Sequence, residues 1–190
     1  YRSLVAALPG RTGLLAADLD GPAPATARPA LIAMPISVER GDAKDGIRLF
    51  EFKPAFEEPA LSTFIEAVPG GLSVAGYDPV SPDGRDDIPQ PGVTGTGWLD
   101  AITGRLMHRL QYRNFGSYER LTVAQTVDAS GIPDPAVFRA GVRYYVLRRS
   151  GSSGSWLVEQ QGTYAPGDGV DRWMPSAALD ADGNLAIGYR

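Results

Sequence analysis

The sequence predicts an all-β protein made of repeated four-stranded antiparallel sheets, and three observations carry that expectation. A pair of segments recurs in the same order: Gly46-Ile-Arg-Leu-Phe-Glu-Phe52 then Ser62-Thr-Phe-Ile-Glu66 returns as Gly141-Val-Arg-Tyr-Tyr-Val-Leu147 then Ser155-Trp-Leu-Val-Glu159. Two segments repeated in order mean that one supersecondary unit is used more than once. Short apolar runs are separated by turn formers, with 23 Gly and 16 Pro in 190 residues, a composition that suits many strands better than long helices. No convincing amphipathic helix of three turns is present; the best candidate, Pro54 to Ile65, carries Pro54 and Pro59, which break helices.

The first expected unit, about residues 13–80, holds strands at Leu14–Asp18, Ala30–Val38, Ile47–Lys53 and Thr63–Val68. Leu31 and Ala33, like Ile47 and Leu49, follow the period of two of a half-buried strand, while Ala30–Ile36 is apolar enough to be covered on both faces. The second unit, about 98–165, holds Arg105–Phe115, Arg120–Asp128, Val142–Arg149 and Trp156–Thr163. In Arg120–Asp128 both alternating sets suit a packed sheet. A partial unit, 172–190, holds Ser176–Leu179 and Leu185–Tyr189. The segments Pro22–Pro29, Ser81–Gly97, Ser150–Ser155 and Ala165–Asp171 read as loops on their Pro, Gly, Ser and Asp content. Within them, Asp83-Gly-Arg-Asp-Asp87 reads as the most exposed.

Repeated four-stranded antiparallel units are how propeller blades are built, and two and a half units are too few to close a propeller of roughly four to eight blades. The expectation is therefore part of a β-propeller whose open edges and apolar faces are covered by another chain or by further copies. The alternative is a two-sheet β-sandwich. Tyr1 in place of Met, and a third unit that stops after two strands, read as a processed piece.

Composition narrows function mainly by exclusion. With no cysteine, thiol catalysis, thiolate metal sites and disulfides are out. A formal charge of -4 lacks the clustered positive charge that nucleic acid requires, and no apolar run is long enough to span a bilayer. His108 is the single histidine, so a zinc site or a Ser-His pair would rest on one imidazole, and no Gly-x-Ser-x-Gly elbow accompanies it.

Four sets of residues could carry chemistry. Asp180, Asp182 and Asn184 place oxygens at alternate positions, as a calcium loop does, without the downstream bidentate Glu of an EF-hand. The same Asp-x-Asp-Gly spacing at Asp18 and Asp20 favours turn chemistry for both. Arg105, Arg109 and Arg113 share one strand face by the period of two, with His108 and Tyr112 on the other. That arginine row could bind carboxylates or phosphates through bidentate bonds, or pair with Asp100, Glu119 or Asp128. Trp98, Trp156, Trp173, Tyr112 and Tyr164 could stack on sugars or peptides, or pack between sheets. Asp128, Glu119, Asp180 and Asp182 could supply the two acids of a glycosidase.

The runs Arg105-Leu-Met-His-Arg-Leu-Gln-Tyr-Arg-Asn-Phe-Gly116 and Arg172-Trp-Met-Pro-Ser-Ala-Ala-Leu-Asp-Ala-Asp-Gly-Asn-Leu-Ala-Ile-Gly-Tyr189 resemble a group of poorly characterised, propeller-like bacterial proteins from outside the cytoplasm. The resemblance covers Gly97–Arg190, and departs at Pro175, where that group has Gly. It implies an extracellular or periplasmic location and no particular activity.

Together these readings give a non-catalytic binding or interaction module of an exported bacterial protein. Its ligand would be a glycan or a protein surface, met by Arg109, Arg113, Arg172 and Trp173, with calcium at Asp180, Asp182 and Asn184 as the one cofactor the sequence suggests. The competing reading is a propeller-type, glycan-active hydrolase whose site another chain or copy completes.

Overall fold

All four strands of each expected group form. The computed structural model describes residues 13–24, 26–81, 86–94, 97–132, 134, 137–151 and 153–190. Its strands are β1 (Leu15–Asp20), β2 (Ala30–Ile36), β3 (Gly46–Lys53), β4 (Thr63–Glu66), β5 (Leu72–Ser73), β6 (Met107–Asn114), β7 (Tyr118–Asp128), β8 (Ala140–Ser150), β9 (Leu157–Tyr164), β10 (Ser176–Leu179) and β11 (Leu185–Gly188). Short 3-10 turns lie at Val38–Arg40 and Pro59–Leu61, the second falling where prolines stop the Pro54–Ile65 stretch from becoming a helix. The protein is all-β.

The groups are joined in a way that periodicity does not reveal. β1 to β4 form one antiparallel meander and β6 to β9 another, and β1 lies parallel to β6, with Ala17 opposite Leu110 and Asp20 opposite Arg113. One mixed sheet results, in the order β4-β3-β2-β1-β6-β7-β8-β9, and it curls into a half-barrel. The chain after β5 ties its two ends together. β5 pairs with β3, the Ala75 N–H donates to Gln161 Oε1 on β9 (2.9 Å), Arg143 on β8 donates to the Ala75 carbonyl (2.7 Å), and the Asp128 N–H donates to the Asp78 carbonyl (2.8 Å).

Curling turns one face of both meanders onto a common interior. Leu31, Ala33, Ile47 and Leu49 from the first meet Leu110, Leu121, Val123 and Leu147 from the second, and all are at least nine-tenths buried. Each such aliphatic side chain, fully withdrawn from water, contributes about 1.5–3 kcal/mol. β2 is covered on its other face too: Ile32, Met34, Ile36 and Phe50 form a second cluster with Phe52 and Phe64, the two-sided burial that its unbroken apolar run requires.

The last two strands do not lengthen the sheet. β10 and β11 form a separate hairpin that lies on the outer face of β6 and β7, and four bonds clamp it there. The Met174 N–H donates to Thr126 Oγ1 (3.1 Å), the Gln111 side chain accepts from Leu179 N–H (2.5 Å) and donates to its carbonyl (3.1 Å), and Arg120 donates to the Gly183 carbonyl (3.4 Å). Ala177 and Leu179 are buried beneath.

The recurring Gly-x-Arg segments fall on β3 and β8, each the third strand of its meander. Both glycines are places where backbone comes close. A methyl group at Gly46 would sit 2.5 Å from the Leu72 carbonyl oxygen and 3.2 Å from Ile36 Cδ1; at Gly141 it would sit 2.6 Å from Ala129 Cβ. Gly46→Ala is therefore expected to separate β3 from β5 and destabilise the protein by about 1–3 kcal/mol, the usual cost of overpacking, read as a lower midpoint in urea.

The Asp83–Asp87 loop is only partly visible. Residues 82–85 lie outside the described residues, whereas Asp87 is buried and accepts from the Ala101 N–H at 3.2 Å.

Candidate functional site

The residues expected to bind ligand are spread over two regions. Arg109 and Arg113 lie on the outer face of β6, where Arg109 pairs with Asp20 and, at 3.3 Å, with Asp18. Gln111 Nε2 donates to the same Asp20 at 2.6 Å. Asp18 and Asp20 thus sit in β1 and neutralise an arginine across the parallel β1–β6 pair. Arg113 lies over the Phe115 ring, 6.0 Å from its centroid. Arg105 is elsewhere, in the loop before β6 begins at Met107, on a cleft of about 450 Å3 shared with Arg40 and Asp100. His108 is exposed.

Asp180 turns its carboxylate into its own hairpin. Oδ1 accepts from the Asp182 and Asn184 N–H groups, both at 2.9 Å, and Oδ2 accepts from the Asn184 amide at 2.8 Å, with Gly183 at φ +87°. These bonds, the Asn184 side chain first, hold the Asp180 carboxyl below its usual range. A cation here would have to displace those donors. Among the described residues no three His, Asp or Glu side chains gather as metal ligands would.

The carboxylates named for a hydrolase do not converge either. Asp128 caps the 129–139 loop through Ser130 and Arg139, Glu119 is sealed in the interior with Arg149, and Asp180 and Asp182 stand at the hairpin tip. The cleft beside Arg40 is lined by one carboxylate, Asp100, and the cleft beside Phe138 by one, Asp168.

Arg172 does belong to an organised surface. Its guanidinium holds Asp168 in a bidentate pair, 2.7 and 2.9 Å, and lies over the rings of Tyr164 (5.4 Å) and Tyr189 (6.0 Å), which are themselves 5.6 Å apart and tilted by 42°. The Arg172 hydrogen bond, then that from the Val170 N–H, pulls the Asp168 carboxyl down to about 2, while bonding to Tyr189 pushes the Tyr164 hydroxyl up. Next to this clamp, Tyr144, Tyr164 and Tyr189 with Val142, Gln160 and Ile187 line a groove of about 380 Å3 between the outer face of β8–β9 and β11. Trp173, the neighbour of Arg172, turns inward against Ile88, Ala101, Phe138 and Ala140, and exchanges two 3.0 Å backbone bonds with Arg190. It positions the chain that presents Arg172.

Tyr144 and Tyr189 are the members that sequence reasoning missed. They come from β8 and from the end of β11, and no spacing links them; only the fold of the hairpin over the sheet brings them to Tyr164. Because the Asp168 carboxyl is lowered from its unfolded value, the clamp is complete above about pH 4 and is lost as pH falls through about 2. The Tyr164 and Tyr189 ring resonances are accordingly expected to hold constant in NMR spectra from pH 7 to 4. Comparison of the chain with protein families, with curated proteins and with solved structures found no match.

Proposed function

We propose that the protein is a non-catalytic binding module whose ligand is a glycan, held in the tyrosine groove. The observation that carries this reading is the convergence of Tyr144, Tyr164 and Tyr189 on one open cleft with a polar Gln160 and no carboxylate in its lining. Sugar rings offer apolar C–H faces that stack on tyrosines, and hydroxyls that bond to amide and phenol groups; the open shape suits an extended chain. Arg172 and Asp168 act as support, fixing two of the rings before ligand arrives, which reduces the entropy lost on binding. A glycan hydrolase would instead need two acids facing each other within about 10 Å of one another in a cleft, whereas the tyrosine groove has none in its lining and the clefts at Asp100 and Asp168 have one each.

The motif resemblance of the second half supports a location outside the cytoplasm. β4 and β9 end the sheet order, and the backbone groups along such edges suit pairing with β-structure from another chain or copy. Among the described residues no helix is long and apolar enough to cross a membrane.

The test is titration of the protein with soluble oligosaccharides, cello-, xylo- and chitohexaose, by calorimetry. At least one should bind saturably and be recovered intact, and Tyr164→Ala and Tyr189→Ala should each weaken it by about tenfold. Hydrolysis of a bound oligosaccharide, or equal binding by both variants, would overturn the reading.

A further inference from the structure

A second cleft opens where the 3-10 turn at Val38–Arg40 meets the chain leading into β6. It measures about 450 Å3 and is lined by Arg40 from that turn, by Ser81, and by Asp100, Ile102, Thr103 and Arg105 from the approach to β6. It shares no residue with the tyrosine groove. The state of its two arginines sets it apart. Arg48, Arg120, Arg149 and Arg172 each hold a carboxylate, whereas among the described residues no hydrogen bond or ion pair engages the guanidinium of Arg40 or of Arg105.

The backbone beneath them is held in an uncommon shape. Asp100 Oδ1 accepts from the Ile102 N–H at 2.6 Å, and Ile102 stands at φ +52°, a conformation that crowds a β-branched side chain and persists only where the surroundings enforce it. Gly104, at φ +72°, follows two residues later, and a methyl group there would collide with the Arg40 guanidinium. Arg40 thus lies across the backbone next to Arg105. Thr103 Oγ1 donates to Ser81 Oγ at 3.3 Å, which leaves the Ser81 proton to be given elsewhere.

Two guanidiniums without acids and a hydroxyl with a proton to give call for an anionic acceptor. The net charge of -4 repels anions from the protein as a whole, and Asp100 offsets part of the positive charge on this wall, so affinity must come from directed hydrogen bonds. A carboxylate presents one edge to a guanidinium fork, whereas the terminal oxygens of a phosphate monoester present several, enough for both arginines and Ser81. At about 30 Å3 for each water-sized group, the space admits about fifteen non-hydrogen atoms. The phosphate would therefore carry an organic body, lying against the polar side chains of Ser81, Asp100 and Thr103.

The geometry points to this cleft as a binding site for a small, hydroxylated phosphate monoester, its phosphate held by Arg40, Arg105 and Ser81.

The experiment is an NMR titration of the isotopically labelled protein in low-salt, phosphate-free buffer, with glucose 6-phosphate as the probe. Glucose, inorganic phosphate and glucuronate, which carries a carboxylate at the same end of the same sugar, are titrated beside it. Glucose 6-phosphate should bind saturably and shift the amides of residues 102–105, inorganic phosphate should compete with it, glucose should leave those amides unmoved, and glucuronate should bind there at least tenfold more weakly. Arg40→Gln and Arg105→Gln, both at exposed positions, should each weaken the probe by about tenfold and leave the urea midpoint in place. Lys53→Gln, which removes an exposed cation from β3, and Tyr164→Ala should leave binding at residues 102–105 unchanged. Failure of the probe to saturate, shifts confined to other residues, undiminished binding by either arginine variant, no competition from phosphate, glucose or glucuronate binding there as tightly, or an equal loss with Lys53→Gln or Tyr164→Ala would each overturn the assignment.

Discussion

Replacing Glu119 with alanine is expected to destabilise the protein by about 3–5 kcal/mol. Its carboxylate is 2% exposed and binds two guanidiniums, those of Arg149 and Arg28. Removing it leaves Arg149, itself 6% exposed, with Glu51 as its remaining acid, so the interior carries an uncompensated positive charge. Charges stranded in this way dominate the cost of breaking a buried pair. The control is Arg48→Ala on the outer face of β3, where the Arg48–Glu66 pair stands about one-fifth exposed and should be worth about 0–1 kcal/mol. Urea titrations of the two variants decide the matter; a Glu119→Ala loss no larger than that of Arg48→Ala would contradict the buried network.

Gln111→Leu is expected to cost about 2–4 kcal/mol, and its effect should be local. The side chain is 1% exposed and bonds both the N–H and the carbonyl of Leu179 as well as Asp20. Leucine keeps the volume but leaves the Leu179 N–H without its partner under the hairpin and the Leu179 carbonyl with only a long bond from Arg113 (3.5 Å), at about 1–3 kcal/mol for each group so affected, partly relieved as the hairpin lifts. Hydrogen exchange should then accelerate in β10–β11 while β7–β8 keeps its protection. Uniform acceleration throughout the sheet would show that the hairpin is not a separate unit. Because Tyr189 and Ile187 line the tyrosine groove from this hairpin, oligosaccharide binding should weaken along with it.

How much of this is legible in the sequence differs from layer to layer. Strand positions are, because alternation and turn residues act locally: Ser176–Leu179 is met to the residue and most others to within two. The two residues of β5 carry no pattern, and the parallel β1–β6 pairing joins segments from different halves of the chain, which no local rule connects. The matched segments also face differently. Ile47 points into the common interior, whereas its counterpart Val142 lines the outer groove, so resemblance in sequence does not make their environments alike.

Charge is the least legible layer. Glu119 reads from the sequence as a partner for the Arg105–Arg113 row or as a glycosidase acid, yet it and Arg149 continue the inward sets Leu121, Val123 and Tyr145, Leu147, and stand directly opposite each other in the β7–β8 register. Once that register is known, the pair is evident. Arg172 was identified from its motif, but its partners Tyr189 and Asp168 follow from the placement of the hairpin.

The parallel seam between β1 and β6 bears on how the chain reaches this state. Each meander is assembled from neighbours in sequence and can form early, whereas Ala17 meets Leu110 only after almost half the polypeptide has been looped out. Such distant pairing carries a large closure entropy and slows assembly. The rate-limiting event of folding is then the meeting of two preformed halves, and two peptides divided between β5 and β6 should find each other in solution and reconstitute the whole.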